Sequence, residues 1–371
     1  MLFFQCAFED AKIVGKIVPR KDKSLIFARN LQIMENNIHI SKDSCCAVIG
    51  HGSWATALVK VLTMNEASVG WYVRNHEVYE SLHAEGRNCR YLSDVEFDMS
   101  RIRLSDDVNV TVADSDIIFL VTPAAYLKCY LSDLQISLKD KMVVSAVKGI
   151  IPDENQFVTA YLKQQYNLCD SKLCFICGPT HAEEVGHGQF TFMTLACRNV
   201  GNARVVGEKL KTHFLKVNYL RDIEYLERSS VMKNIYAVMV GIAVGLGYGD
   251  NFIAVLVSSC IKEMYLLLDP QCINELTKFN PSSFFGDLLV SCYSSHSRNR
   301  QLGVLIGRGN TVKTALNEMT MVAEGYFASK VIPILDEEHR RQLPIADKVY
   351  QILHQGLPAR KAMKDLEDYL V

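Results

Sequence analysis

Short apolar runs alternate with amphipathic stretches over the first part of the chain, from Cys45 to about residue 224. Six of these runs predict β-strands, because each is short, apolar and bounded by turn or polar residues. They are Cys46–Ile49, Ser68–Val73, Asp116–Val121, Lys141–Val147, Leu173–Cys177 and Phe192–Ala196. Strands separated by helices are typical of crossover connections, so we expect a doubly wound, mostly parallel sheet.

The pattern changes after Tyr225, where long helical periodicities dominate and strand-like runs vanish. The predicted helices cover Glu227–Gly245, Phe252–Leu268, a stretch from Leu302 onward, Met319–Ile332 and Ala346–His354. We therefore predict an α/β domain over 45–224 followed by an all-α domain over 225–371. Residues 1–44 carry no usable motif, and one hypothesis is that the natural start is Met34.

Composition and charge narrow the class of protein. With 371 residues the chain is too long for one ordinary core, and 49% hydrophobic with 22% charged residues is typical of a soluble globular protein. The balance of 40 basic and 41 acidic residues argues against a nucleic-acid or anionic-membrane binder. The longest apolar stretch, 235–249, is too short and glycine-interrupted for a membrane span. The N-terminus does not resemble a signal peptide, so we expect a cytoplasmic location.

Neither the cysteines nor the histidines predict a metal site. Cys174 and Cys177 lie three apart in a predicted strand and so face opposite sides, which favours reduced cysteines acting as small hydrophobes. His181 and His187 flank Glu183 and Glu184, but the spacing is not His-Glu-x-x-His. A helix N-terminus carrying stabilising glutamates explains that cluster better. We expect no metal.

The first predicted strand leads into Gly50–Ala55, which reads Gly-His-Gly-Ser-Trp-Ala. This is the alanine variant of the dinucleotide fingerprint, placed where a strand ends and a helix begins. Gly50 permits a tight turn, Gly52 lets the backbone approach a pyrophosphate, and Ala55 allows the helix to pack closely. The helix N-terminus offers unpaired amides to the anion. The alternative is a plain strand–turn–helix connection with convenient glycines.

Arg74 follows the second predicted strand, at the position where an acidic residue would bind the ribose 2′-hydroxyl of NAD. An arginine there could stack on adenine or pair with the 2′-phosphate of NADP. The charge favours NADP(H) without excluding NAD(H). The alternative is a solvated arginine at a strand end.

Eight segments, including the glycine fingerprint, together make the pattern specific. They are Gly50–Ala57, Val147–Gly149, Gly178–Val185, Val231–Asn234, Gly245–Asn251, Gly286–Leu288, Ser297–Asn299 and Val322–Gly325. In order and spacing, over about residues 45–365, the chain resembles bacterial NAD(P)-dependent glycerol-3-phosphate dehydrogenases. It departs from the common pattern at His51, Ala55, Ser259–Cys260 and Ser291–Cys292. None of these changes removes a group that the chemistry requires.

The resemblance implies an N-terminal Rossmann domain, a helical C-terminal domain and roles for individual residues. Implied cofactor contacts, with the fingerprint glycines Gly50 and Gly52, are Ser53, Trp54, Arg74, Lys148, Ala182, Arg298, Val322 and Glu324. Implied substrate contacts are Lys148, Gly178, Thr180, Lys233, Asp287, Ser297, Arg298 and Asn299. The implied reaction is reversible hydride transfer between NAD(P)H and dihydroxyacetone phosphate. Its product, sn-glycerol 3-phosphate, is a precursor in glycerophospholipid biosynthesis.

Lys233 is the candidate for proton transfer. A partly desolvated ammonium near another cation, which Lys148 could supply, has a pKa lowered toward neutrality. Asn234, Thr180 and Asp287 could orient the lysine or the substrate, and the sequence does not rank them. The alternative is that Lys233 lies on an exposed helical turn, although it interrupts an otherwise apolar stretch.

Arg298 offers a planar cationic fork for the substrate phosphate, with small donors from Ser297 and Asn299. The alternative is a solvated surface pair of Arg298 with Arg300.

Two other functions remain open from the sequence. One is a related dehydrogenase that acts on a hydroxy acid or a ketopantoate-like substrate. The other is a nucleotide-binding sensor or scaffold without catalysis, which the presence of both Lys148 and Lys233 argues against. A homodimer is plausible by resemblance, but no interface can be identified.

Overall fold

The computed structural model describes residues 40–152, 154–266, 282–335 and 337–370. Residues Ile40–Val371 form one compact unit. Residues 1–39, and with them most of the predicted lead-in and the hypothesis about Met34, lie outside the described residues.

An eight-stranded sheet forms one half of this unit, in the order β10-β9-β8-β5-β4-β1-β2-β3. Its strands are β1 (Cys46–Ile49), β2 (Val69–Tyr72), β3 (Ile102–Ser105), β4 (Ile117–Leu120), β5 (Met142–Ser145), β8 (Leu173–Cys177), β9 (Thr191–Cys197) and β10 (Leu215–Leu220). A small hairpin pairs β6 (Ile150–Ile151) with β7 (Gln156–Phe157). Neighbouring strands are parallel except for β8 and β9, so the sheet is mostly parallel, as predicted.

The six predicted strands are all present, and the sequence missed the two edge strands, β3 and β10. Both edges are only partly buried, and β10 reads Leu-Lys-Val-Asn-Tyr-Leu, which alternates apolar and polar residues. The search for continuous apolar runs finds strands that are covered on both faces, so it overlooks half-covered edge strands.

Two separate apolar layers cover the faces of the sheet. In β8, Cys174 packs into one layer and Cys177 into the other, which confirms that they face opposite sides. The helices in this half are α1 (Ser53–Asn65), α2 (His76–Glu85), α3 (Val108–Ala113), α4 (Leu127–Tyr130), α5 (Val158–Tyr166), α6 (Ala182–Gly186) and α7 (Val200–Leu210). The fold is therefore a doubly wound Rossmann-like sheet.

Helices alone follow the sheet in the described residues after Leu220. They are α8 (Ile223–Leu246), α9 (Asp250–Leu266), α10 (Asp287–Tyr293), α11 (Arg298–Gly307), α12 (Val312–Glu318), α13 (Glu324–Ala328), α14 (Glu337–Arg341), α15 (Pro344–Gln355) and α16 (Ala359–Glu367). A third apolar core joins them. The all-α character predicted for this half is confirmed, and the boundary at 224/225 stays a prediction.

Helix α8 is the axis of the helical half. It is longer than the apolar stretch seen in the sequence, and by length and composition it could cross a bilayer. However, 83% of its most apolar 18-residue window is buried inside the fold, so no membrane span is indicated. The apolar surface of α8 is explained by its packing against the other helices. Its length alone would not rule out a membrane span.

Glycines let α11 lie directly against α8. A Cβ added to Gly241 would lie 2.1 Å from the carbonyl oxygen of Arg300, and one added to Gly303 would lie 2.1 Å from that of Val238. A Cβ at Gly245 would lie 2.4 Å from the carbonyl oxygen of Val304, so this glycine also allows the two helices to approach closely. This contact fixes the start of α11 beside the middle of α8, where the candidate site lies.

Candidate active site

A cavity of about 720 Å³ lies between the carboxyl ends of the sheet strands and the helical half. Strand β1 pairs with β2 on one side and β4 on the other, so the chain reverses its winding direction between β1 and β4. Ligands of open α/β sheets bind at such a switch point. Predicted site residues that line the cavity are Gly52, Ser53, Trp54, Lys148, Thr180, Ala182, Lys233, Asp287, Ser297, Arg298, Asn299, Val322 and Glu324. Gly50, Arg74 and Gly178 lie outside the lining.

The glycine turn after β1 has the geometry that a dinucleotide requires. Gly50 has a φ of +131°, and a Cβ there would lie 2.1 Å from the carbonyl oxygen of Val121, so only glycine fits. A Cβ at Gly52 would meet nothing within 4 Å, so this backbone faces open space. Gly52 is also the N-cap of α1 and makes no side-chain cap, so the first-turn amides have no side-chain acceptor from it. The residues fit an anionic pyrophosphate.

Ser53 and Trp54 occupy the first turn of α1. The hydroxyl of Ser53 lies 3.4 Å from a guanidinium nitrogen of Arg298, which brings the fingerprint and the predicted phosphate ligand together. The Nε1 atom of Trp54 is buried and has no hydrogen-bond partner among the described residues. Polar groups buried without partners are uncommon and can mark a ligand site.

Arg74 is exposed just beyond the end of β2. Its Nη1 atom donates to the sulfur of Cys129 at 2.6 Å, and its guanidinium lies 5.9 Å from the ring centroid of Tyr130. The Tyr130 hydroxyl is 2.9 Å from Nδ1 of His51. Arg74 therefore lies beside the aromatic ring of Tyr130, at the outer end of the site.

Lys233 and Asp287 form a buried ion pair at the inner end of the cavity. The Lys233 ammonium donates to Oδ1 of Asp287, and their side chains are only 7% and 2% exposed. Lys233 lies in the middle of α8, and Asp287 is the first residue of α10. The alternative of an exposed helical turn is therefore wrong, and Asp287 is the group that orients Lys233.

The pKa values of both partners are lowered, but for different reasons. Burial, the largest cause, lowers the pKa of Lys233 below 10.5; Asp287 opposes this shift and Lys148 adds to it. Burial would raise the pKa of Asp287, but the charges of Lys148 and Lys233 outweigh it and hold the pKa below 3.8. Asp287 therefore stays ionised, while the ammonium of Lys233 gives up its proton more readily than an ordinary lysine.

Lys148 approaches the same carboxylate from the end of β5. Its Nζ atom lies 3.6 Å from Oδ2 of Asp287 and 3.4 Å from the carbonyl oxygen of Gly178. Burial lowers the pKa of Lys148, but the charge of Asp287 outweighs it, so the net shift is upward. Lys148 therefore remains a fixed cation beside Lys233.

A chain of amides fixes the backbone around the two lysines. Asn234 donates to the carbonyl oxygen of Lys148 at 2.9 Å, and its Oδ1 accepts from Nδ2 of Asn299 at 2.9 Å. Oδ1 of Asn299 in turn accepts from the backbone amide of Gly325 at 2.8 Å. Both ends of the Asn299 amide are thus engaged, and the side chain ties α8, α11 and α13 together.

The loop after β8 supplies the opposite wall. Gly178 has a φ of +133°, and its amide lies 3.3 Å from Oδ2 of Asp287. The hydroxyl of Thr180 donates to the carbonyl oxygen of Gly178 at 3.2 Å. Ala182 begins α6 and is buried. Gly178 acts through Asp287 here, whereas Thr180 and Ala182 reach the cavity surface.

Arg298 lines the cavity at the start of α11, so the alternative of a solvated surface arginine is wrong. Its Nη2 atom lies 2.9 Å from Oε1 of Glu183, and its Nε atom is buried without a hydrogen-bond partner among the described residues. Ser297 caps α11 by accepting from the amide of Arg300 at 3.3 Å. The fork and the helix N-terminus both present donors to an anion.

Val322 and Glu324 close the cavity from the helical side. Oε1 of Glu324 accepts from the amide of Ala124 at 2.8 Å, which holds the loop after β4. Burial raises the pKa of Glu324 to about 7. A Cβ at Gly149 would lie 2.5 Å from Oε2 of Glu324, so glycine is needed there for close approach. Glu324 therefore connects the two halves at the site.

The histidine–glutamate cluster does not converge on one point. His187 pairs with Asp94, and Glu183 pairs with Arg298. Within the described ranges, no group of three or more histidine, cysteine or acidic side chains is arranged to hold a metal ion. His181 instead lines the cavity, and burial, aided by the charge of Lys233, lowers its pKa to about 4.

Sequence reasoning missed residues that line the cavity and one that lies behind it. Thr122 and Pro123 follow β4, so they border the switch point, but this position can be recognised only when the strand order is known. Cys177 carries no local motif, yet its sulfur lies 3.0 Å from Oδ2 of Asp287, which is 110 positions away. Contacts of this length leave no periodic signal in one sequence.

Comparisons with known proteins match both halves. The family model described as "NAD-dependent glycerol-3-phosphate dehydrogenase N-terminus" covers residues 45–203, and its "C-terminus" counterpart covers residues 222–364. A curated "Glycerol-3-phosphate dehydrogenase [NAD(P)+]" of Chlorobium phaeobacteroides is 33% identical over 86% of this chain and 96% of its own length. One of Agathobacter rectalis is 32% identical over 86% and 94%.

A solved structure has the same fold. The crystal structure of glycerol-3-phosphate dehydrogenase from Coxiella burnetii superposes with a TM-score of 0.79 at 24% identity, covering 88% of this chain and 99% of that one. At this identity the likeness concerns the fold.

Proposed function

The chain belongs to the NAD-dependent glycerol-3-phosphate dehydrogenase family, and we propose on that basis that it transfers hydride reversibly between NAD(P)H and dihydroxyacetone phosphate, giving sn-glycerol 3-phosphate. The resemblance drawn from the sequence is confirmed. The observation that carries the proposal is the buried Lys233–Asp287 pair, which lies in the same cavity as the glycine turn.

The dinucleotide would be held at the sheet end of the cavity. The open backbone face at Gly52 and the first-turn amides of α1 suit the pyrophosphate, with Ser53 and Trp54 beside it. When bound, the nicotinamide supplies or accepts the hydride. Ala182, Val322 and Glu324 complete the cofactor contacts in this proposal.

Lys233 would supply the proton. Negative charge develops on the ketone oxygen as it is reduced, and a donor within about 3 Å stabilises it. The lowered pKa of Lys233 makes its ammonium a more effective acid, and Asp287 fixes its direction. In the reverse direction the neutral amine would take the proton from the alcohol. Lys148 would add positive charge near the same oxygen.

Arg298 would bind the substrate phosphate. One guanidinium nitrogen is engaged by Glu183, but arginine has five N–H donors, and the buried Nε atom lacks a partner among the described residues. The N-terminus of α11 adds backbone donors from Arg298 and Asn299. Because the Asn299 side chain is occupied, its contribution would come from the backbone. Thr180 and Ser297 would contact the rest of the substrate.

Three finer points belong to the same proposal. Arg74, exposed beside Tyr130, would pair with the 2′-phosphate and favour NADP(H) over NAD(H). A cytoplasmic location and a homodimer are further proposals, which fractionation of cells and light scattering of the purified protein test. The product would enter glycerophospholipid synthesis.

Substrate profiling tests the proposed function. With NADPH in excess, we expect turnover with dihydroxyacetone phosphate and at least about 100-fold lower kcat/KM with unphosphorylated dihydroxyacetone, because Arg298 then has no anion to bind. A preference for a 2-keto acid would instead identify a related dehydrogenase. Cofactor binding without turnover of any ketone would identify a sensor.

A further inference from the structure

Four buried polar side chains, including the proposed catalytic lysine, form a hydrogen-bond network at the inner end of the cavity. The sulfur of Cys177 lies 2.7 Å from the hydroxyl of Ser230 and 3.0 Å from Oδ2 of Asp287. Oδ1 of Asp287 accepts from Lys233, and Ser230 lies one turn before Lys233 on α8. All four side chains are buried. The network joins the end of β8, the start of α10 and the middle of α8.

The direction of these hydrogen bonds follows from the groups themselves. Asp287 is ionised, and a carboxylate can only accept. Burial, with the charge of Asp287, raises the pKa of the Cys177 thiol to about 12, so the thiol keeps its proton. Cys177 therefore donates to Asp287, and the hydroxyl of Ser230 donates to the sulfur.

The thiol makes the shortest contact to Oδ2 of Asp287 among the described residues. The amide of Gly178 lies at 3.3 Å and the ammonium of Lys148 at 3.6 Å. These three groups approach one carboxylate oxygen, which leaves the other free to face Lys233. A carboxylate without the thiol would keep two longer contacts and could rotate about its terminal bond.

We propose that Cys177 is a positioning residue for the proton transfer: its thiol holds Oδ2 of Asp287 so that Oδ1 remains directed at Lys233. This inference rests on the proposed function. It assigns no chemical step to the thiol, which keeps its proton and does not line the cavity. Without this donor the Asp287 carboxylate could rotate, and its negative charge would lie less closely against Lys233. The Lys233 ammonium would then be stabilised less.

Four variants test the proposal. Cys177→Ser keeps a donor, Cys177→Ala removes it, and Cys177→Val removes it while filling the space. Cys174→Ala is the matched control, because Cys174 is also buried in β8 but faces the opposite apolar layer. For each we would measure kcat, the KM for dihydroxyacetone phosphate and for NADPH, the pH dependence of kcat for ketone reduction, and the melting temperature.

We expect Cys177→Ala and Cys177→Val to lower kcat about 10-fold, the size expected for one hydrogen bond to a charged group. Their KM for the cofactor should stay unchanged. Reduction requires protonated Lys233, so the alkaline limb of kcat should move to lower pH in both. Cys177→Ser should restore kcat and the limb, and Cys174→Ala should match the wild type in both.

Two outcomes would overturn the inference. In one, the non-donor variants keep the wild-type kcat and alkaline limb. In the other, Cys177→Ser is as impaired as Cys177→Ala and the losses follow the melting temperatures, which is the behaviour of a residue that only packs. A wild-type protein inactive toward dihydroxyacetone phosphate would refute the proposed function instead. Comparing the two non-donor variants separates the lost donor from the lost volume.

Discussion

Replacing Lys233 with alanine removes the proposed proton donor and leaves Asp287 buried. The loss of a general acid lowers turnover roughly 100-fold to 10,000-fold. Removing one partner of a buried ion pair destabilises a protein by about 3–5 kcal/mol. We expect the lower end of this range, because Lys148 remains 3.6 Å from the same carboxylate. Cofactor affinity should be nearly intact, since Lys233 lies at the inner end of the cavity.

The assay must separate lost chemistry from lost stability. Turnover would be followed by NADPH oxidation, cofactor affinity by quenching of tryptophan fluorescence, and stability by denaturant unfolding. Lys209→Ala is the matched control, because Lys209 is also a buried lysine, paired with Glu66 at 3.0 Å in the sheet half. It should lose stability and keep turnover. The double variant Lys233→Ala/Asp287→Asn should regain stability without regaining turnover.

Either of two results would refute the role of Lys233 as proton donor. If Lys233→Ala turns over within a few-fold of the wild type, Lys233 is not the proton donor. If Lys209→Ala loses as much turnover as Lys233→Ala, the effect is one of stability alone.

Three further predictions concern neighbouring groups. Arg74→Ala should weaken NADPH binding more than NADH binding, measured by titration; equal losses would mean that Arg74 does not read the 2′-phosphate. Asp287→Asn removes the negative charge that stabilises the Lys233 ammonium, so the pKa of Lys233 should fall further. In initial-rate profiles the alkaline limb of ketone reduction should then move to lower pH, and an unmoved limb would contradict the coupling. Arg298→Lys should raise KM for dihydroxyacetone phosphate about 10-fold or more, because lysine lacks the planar fork; an unchanged KM would place the phosphate elsewhere.

Part of the fold could be predicted because its signals are local. The glycine turn, the central strands and the helical second half follow from short motifs and periodicities. The edge strands β3 and β10 escaped because their exposed residues interrupt the apolar runs. The predicted helix Met319–Ile332 is shorter in the structure, where α13 begins only at Glu324 and the preceding residues line the cavity.

The sequence predicted which residues form the site but not which of them contact each other. Sequence left Asn234, Thr180 and Asp287 unranked as partners of Lys233. The structure selects Asp287, which is 54 positions away, because α10 starts opposite the middle of α8. It also engages the Asn299 side chain with Asn234 and pairs Arg298 with Glu183. Such pairings depend on packing between elements, which one sequence does not encode locally.

The most direct test of the central claim is the absorbance of NADPH, and separately of NADH, after purified wild-type protein is mixed with dihydroxyacetone phosphate. The account predicts rapid oxidation, with sn-glycerol 3-phosphate as the product and a higher rate for NADPH. Demonstrable cofactor binding with no oxidation of either nucleotide would contradict it.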